Sequence, residues 1–124
     1  MEPADLVARY WNEVWGNGDL DLVGELFAQP YVRHNRNGSK SLSHDDVRRD
    51  LVQYWRTLRS PRVQIDDQVV SNDSVWTRLT VRGVNADSGD ETPVSFIQVA
   101  RITGGRIAET WSLNAPDVDW TRPD

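Results

Sequence analysis

The chain has 124 residues, 38% of them hydrophobic, which is the length of one domain and enough apolar material for one core. Fourteen basic against nineteen acidic residues leave a net charge of −5 with no Lys/Arg run to track a phosphate backbone, which argues against a nucleic-acid partner. No apolar stretch approaches the ~20 residues of a membrane helix, and the absence of cysteine excludes disulfides, zinc–thiolate sites and thiol nucleophiles. A cytoplasmic protein without a membrane partner is the expectation.

Leu6, Val7, Tyr10, Trp11, Val14 and Trp15 recur at helical spacing, and the Gly16-Asn17-Gly18 run ends that helix. Asp19 can cap a second, short helix carrying Leu22, Val23, Leu26 and Phe27, which Pro30 stops. Tyr31-Val32-Arg33-His34-Asn35 reads as a short strand, followed by a polar loop through Ser41. Ser43 and Asp46 resemble a capping box opening a third helix, with Val47, Leu51, Tyr54, Trp55 and Leu58 on its apolar face and Pro61 at its end. From Val63 the period falls to two, with strands near 63–70, 75–86, 93–103 and 106–114 separated by hairpin-spaced turns. Three helices and then a meander of long strands predict one α+β domain with a core spanning about residues 5–115.

Few residues carry chemistry, and none forms a strong motif. There is no glycine-rich phosphate loop, no Gly-x-Ser-x-Gly and no His-Glu-x-x-His, and two histidines are too few for a histidine-built metal site. His44, at the start of the third helix, reads as a solvated surface residue. His34 reads either as a partly buried histidine bonded to backbone or as a pocket acid/base. Along 75–86 one face is Val75, Thr77, Leu79 and Val81; the other is Trp76, Arg78, Thr80 and Arg82, a mixture unlike ordinary core. On the last strand, alternation puts Ile107, Glu109, Trp111 and Leu113 on one face and Ala108, Thr110 and Ser112 on the other. A partly buried Glu109 then needs a partner, which Arg78 or Arg101 can supply, and Gln98 stands as a polar group in an apolar wall.

The order of elements resembles the nuclear-transport-factor-2-like superfamily, and within it the SnoaL-like branch that includes small polyketide cyclases. The opening Tyr10-Trp11-Asn12-Glu13-Val14-Trp15 with Gly16-Asn17-Gly18-Asp19 is similar to the branch's first helix and turn. His34 falls where the branch often has a histidine after a short strand, and Val75, Arg78 and Gly83 resemble its second long strand. Gly104-Gly105-Arg106-Ile107-Ala108-Glu109-Thr110-Trp111 is close to its "G-K-I-x-E-x-W" ending. The resemblance implies a cone-shaped curved sheet enclosing an apolar pocket, a homodimer paired through the outer sheet face, and ring closure by aldol chemistry on a pocket carboxylate without metal or organic cofactor. That carboxylate commonly follows the motif Trp by a few residues. Here Ser112-Leu113-Asn114-Ala115 follow Trp111, and Asp117 is the first acid. The limonene-epoxide-hydrolase-like pattern is rejected, since Thr80 and Leu113 stand where its two Asp residues would be.

Three readings follow. The first is a cofactor-independent cyclase or isomerase of a small, largely apolar carbonyl compound, with His34 or Glu109 moving the proton and Arg78 or Gln98 stabilising an enolate oxygen. Asp117 is the fallback acid/base. The second is a binder of a small hydrophobic molecule, and the third a structural domain whose cone its own aromatic side chains fill. Trp11, Trp15, Trp55, Trp76, Phe96, Gln98 and Trp111 are the expected pocket wall. The expected dimer face is the one carrying Thr110 and Ser112.

Overall fold

Pro3 occupies the first turn of helix α1 (Pro3–Arg9), where a missing N–H costs nothing. In the computed structural model, which describes residues 1–123, this helix widens without a break into a π-helical stretch over Tyr10–Trp15. Tyr10, Trp11, Val14 and Trp15 are all buried there, so the predicted apolar stripe is the inward face. Gly18, at φ 72°, turns the chain. A 3₁₀ turn at Leu20–Leu22 then leads into the single turn of α2 (Val23–Leu26).

The sequence reading placed Phe27 in that helix and a polar loop after Asn35. Instead, strand β1 (Phe27–Asn35) begins at Phe27 and forms a hairpin with β2 (Gly38–Leu42). Pro30 stays within β1 because it falls inside the irregular stretch between Phe27 and Val32, where no ladder hydrogen bond is asked of it. The predicted capping box is present. Asp46 N–H donates to Ser43 Oγ at 3.1 Å and Ser43 N–H to Asp46 Oδ2 at 2.9 Å, opening α3 (His44–Thr57). His44 is not a solvated bystander: its Nε2 lies 2.9 Å from the Phe27 carbonyl and ties α3 to β1.

The long strands are β3 (Leu58–Ser71), β4 (Ser74–Asn85), β5 (Glu91–Thr103) and β6 (Arg106–Pro116). β3 starts five residues before the predicted Val63, passing through Pro61 at a register shift between Arg59 and Arg62. The six strands make one curved, unclosed sheet in the order β2-β1-β6-β5-β4-β3, antiparallel except for the β1–β6 pair. The three helices pack against its concave side. This is the predicted α+β architecture. No helix among the described residues is long and apolar enough to cross a membrane.

Two features decide which side chains face inward. On β4, Val75, Thr77, Leu79 and Val81 are buried under α1, whereas Trp76 is 52% exposed and Arg78 points outward with it. The mixed Trp/Arg/Thr face is thus the convex face, not the pocket wall. On β6, Ala108 is an extra residue: Arg101 pairs with Glu109 but Ile102 with Ile107. The bulge breaks the alternation. Ile107 is in the core, yet Glu109, Trp111 and Leu113 turn outward and Thr110, Ser112 and Asn114 turn inward. The dimer face expected around Thr110 and Ser112 therefore lines the interior. On the convex side, residues after β6 form a strap: Ser95 Oγ donates to the Val118 carbonyl at 2.8 Å, and Arg82 pairs with Asp119 at 2.7 Å. The Arg82 hydrogen bond, and then that of Thr121, hold the Asp119 carboxyl well below the usual carboxylate range.

Gly83 lets β4 pass close to the start of β3. A Cβ there would lie 2.8 Å from the Arg59 carbonyl oxygen and 2.8 Å from Leu58 Cγ. Gly83→Ala is expected to destabilise the fold by about 1–3 kcal/mol through overpacking, read as a lower midpoint in urea denaturation.

Candidate active site

The concave side of the sheet and the helices enclose a cavity of about 530 Å³, so the cone is not filled by its own side chains. One wall is a chain of aromatic rings. Tyr31 meets Phe27 edge-on at 4.7 Å, Phe27 meets Tyr10 at 5.0 Å, and Trp11 and Trp15 reach Phe96 at 5.4 and 5.8 Å. Such edge-to-face packing fixes the rings beyond what area burial alone would do. The π-helical turn contributes three of them, Tyr10, Trp11 and Trp15, from six consecutive residues.

The polar groups of the wall are tied to one another. Trp11 Nε1–H donates to Gln98 Oε1 at 3.3 Å, and Gln98 Nε2 donates to Ser112 Oγ at 3.3 Å. Trp15 Nε1–H donates to the Tyr10 hydroxyl at 2.9 Å, and the Tyr31 hydroxyl bonds Thr110 across to β6. Burial pushes the Tyr10 phenol far up and the Tyr31 phenol up to about 12, so both stay protonated. Asn114 Nδ2 donates to the Tyr54 hydroxyl at 3.3 Å from the facing helix. Three charged side chains line the cavity: Arg33, Arg36 and Asp50. Arg33 on β1 and Asp50 on α3 form an ion pair of 3.0 Å and are each about a third exposed, at 26% and 37%.

The structure brings together four of the predicted wall residues, Trp11, Trp15, Phe96 and Gln98, and separates the rest from the cavity. Trp76 and Arg78 are on the convex face, where no bulge rescues the assumed parity of β4. Trp55 is half-buried beside Trp15, at 6.3 Å, and its Nε1–H is buried without a partner; it does not reach the cavity. Asp117, at φ 62° beyond the end of β6, is exposed and does not line it either.

His34, Glu109 and Trp111 do come together, but outside. His34 Nε2 is 2.6 Å from Glu109 Oε2, its Nδ1 is 2.6 Å from Ser39 Oγ, and its ring stacks on Trp111 at 5.1 Å. A carboxylate only accepts, so Nε2 carries the proton. Arg101, not Arg78, is the guanidinium partner of Glu109, at 3.1 Å. The His34 hydrogen bond, and then that of Arg101, outweigh desolvation and hold the Glu109 carboxyl below its ordinary value.

Arg33, Asp50, Ser112 and Asn114 were not singled out by sequence reasoning. Asp50 carried a usable signal: it lies three residues after Val47 and four before Tyr54, inside the apolar stripe of α3. Arg33 lies beside the histidine that drew attention, at the opposite parity.

A strongly curved sheet wrapped around helices and a cavity is the nuclear-transport-factor-2-like, or ketosteroid-isomerase-like, fold. Within it, the SnoaL-like domain family matches residues 7–110, and the chain belongs to that family. Among solved structures it is similar to IdmH, a candidate polyketide cyclase from Streptomyces antibioticus, at 21% identity over 92% of each chain with a TM-score of 0.82. It is also similar to a SnoaL-like polyketide cyclase from Agrobacterium tumefaciens, at 13% identity over 93% of this chain and 92% of that one, TM-score 0.81. AclR, a candidate hydroxylase from Streptomyces galilaeus, superposes with a TM-score of 0.77 at 14% identity, over 91% of this chain and 88% of the other. No curated protein matches the chain.

The depressed Glu109 carboxyl carries a sign. A group whose folded value is lowered contributes stability that is complete above its unfolded value, 4.5, and is lost as pH falls through the folded value. The stability difference between wild type and Glu109→Gln should be largest near neutral pH and shrink below pH 4.5, followed by urea denaturation at a series of pH values.

Proposed function

We propose that the protein is a cofactor-independent cyclase of a small, largely apolar carbonyl compound, acting inside the cone through the Arg33–Asp50 pair. The observation that carries this reading is the single carboxylate among the described residues that line an aromatic-walled cavity, set 3.0 Å from a guanidinium. The similarity to polyketide cyclases supports it. In the aldol step Asp50 takes a proton from the carbon beside one carbonyl. The resulting enolate carbon bonds to a second carbonyl carbon of the same molecule, and the new alkoxide takes the proton back. Donors are needed where negative charge develops on oxygen. Gln98 offers the amide N–H not given to Ser112, and Arg33 offers N–H groups not given to Asp50.

A linear diketone whose aldol closure and dehydration give a conjugated cyclic enone tests this by ultraviolet absorbance. Asp50→Asn is expected to slow enone formation by ~10²-fold or more, the usual weight of a general base, with diketone binding retained. His34→Ala should leave the rate unchanged, since His34 faces the convex side. The alternative, a non-catalytic binder, has its own support: Asp50 is already engaged and the phenols stay protonated. Diketone bound by wild type but never turned over selects it.

The convex face gives a second proposal. Trp76, Ile97, Trp111, Leu113 and Trp120 are 42–64% exposed across β4, β5, β6 and the strap. That row exceeds the scattered exposure of a monomer, and an isologous contact would cover it with the same row of a second copy. Light scattering is expected to give about twice the chain mass of 14.2 kDa for wild type and the single-chain mass for Leu113→Asp.

A further inference from the structure

We infer that the ligand of the cone is an amphipathic anion, an apolar body ending in an acidic group such as a carboxylate, with Arg36 as the residue that recognises it. The inference rests on the reading of the cavity as a ligand site and adds the chemical class of the ligand. The cavity has only three charged side chains, and two of them neutralise each other in the Arg33–Asp50 pair. Burial keeps the Tyr10 and Tyr31 phenols protonated, so the aromatic wall supplies no compensating negative charge. Arg36 is left. It sits in the turn between β1 and β2, has no carboxylate partner among the described residues, and lines the cone.

The rim around it offers unspent donors. Asn35 Oδ1 accepts from the Asn37 backbone N–H at 2.9 Å, which leaves the Asn35 amide N–H groups unspent. The Asp50 carboxylate pairs with Arg33 through one of its oxygens. A neutral ester or ketone would meet this rim with one weak acceptor. A carboxylate brings two oxygens to a guanidinium and an amide, and charge-assisted bonds of that kind are about twice as strong as neutral ones.

The same turn borders a second hollow, about 650 Å³, on the convex side, where Ile97, Trp111, Leu113 and Trp120 form apolar walls. Asn35, Arg36, Ser112 and Asn114 line both hollows, because β1 stops pairing with β6 at Trp111 and leaves the β6 edge beyond it uncovered. Arg36 thus stands at the mouth of the cone, where an acidic group stays hydrated while the apolar body goes inside.

The test is calorimetric titration at pH 7 with naphthylbutanoic acid, its methyl ester and its primary amide, three ligands of one shape and two charges. Wild type is expected to bind the acid about tenfold more tightly than the ester or amide, the size of one charge-assisted bond in a partly wet site. Arg36→Gln, at an exposed turn, should erase the preference and leave ester affinity unchanged. Asp50→Asn should widen it by freeing Arg33, an effect of opposite sign that loss of folding cannot imitate. Equal affinity for acid and ester in wild type, or a preference that survives Arg36→Gln, overturns the inference. Failure of all three ligands to bind instead removes the ligand-site reading itself, and this inference with it; ester binding without acid preference removes only the inference.

Discussion

One inserted residue, Ala108, governs which chemistry the cavity contains. A strand has a side-chain period of two, so one extra residue sends every later side chain to the opposite face. Before it, Ile107 is packed in the core; after it, Thr110 takes the inward position and bonds the Tyr31 hydroxyl on β1. That bond belongs to the only parallel junction in the sheet. Ser112 and Asn114 follow Thr110 inward and become polar parts of the wall, while Glu109 and Trp111 are carried to the convex face. Without the bulge, a charged glutamate would face the aromatic cluster, away from His34 and Arg101, and would bear the desolvation that burial imposes on a charge.

The interior that results is polar in detail, with the Arg33 and Asp50 charges offset against each other and Arg36 left at the mouth. Each N–H and hydroxyl that the cavity's Trp and Tyr residues present is paired: Trp11 with Gln98, Trp15 with Tyr10, Tyr31 with Thr110, Tyr54 with Asn114. Fixed dipoles in an apolar surround need no reorganisation when charge develops beside them. Trp55 is the exception, with a buried Nε1–H that finds no acceptor, and it stands behind Trp15 rather than at the cavity.

Periodicity and turn chemistry made most of the architecture legible before any coordinates: the stripe of α1, the Ser43–Asp46 box, and the meander with its Gly104-Gly105 turn. β2 was missed because Gly38-Ser39-Lys40-Ser41 is an edge strand exposed on both faces, where no apolar alternation exists to be read. The site was less legible. A bulge leaves no mark in a two-residue period, so Glu109 and Trp111 were placed inside with Ile107. On β4 the mixed Trp/Arg/Thr face, unlike ordinary core, pointed to the pocket; yet the cavity is lined mainly from β5, β6, β1 and α3, β4 reaches it at Asn85, and α1 packs against β4. Phe96 and Gln98, whose strand keeps its period, and Trp11 and Trp15, whose apolar stripe stays inward through the π-helical turn, survived the step from pattern to place.

The two charged clusters, one on each side of the sheet, differ in how saturated they are, and the proposed chemistry rests on the less saturated one. Glu109 receives His34 at 2.6 Å and Arg101 at 3.1 Å, so both of its oxygens are bonded and its proton affinity is reduced by its own partners. Such a carboxylate is a strut: it orients an imidazole against Trp111 and braces β1 to β6 at the register where they last pair. Asp50 has one partner, Arg33, and the recorded contact engages one of its oxygens. It faces a cavity from which a ligand of matching size would displace water. Displacing that water lowers the local dielectric and strengthens every charge interaction left at the mouth, for the pair and for Arg36 alike. The convex cluster gains nothing comparable from a ligand in the cone, since the sheet stands between them. On the proposed reading, proton transfer falls to the pair that is partly bonded and open to being sealed, and recognition to the unpaired Arg36 beside it.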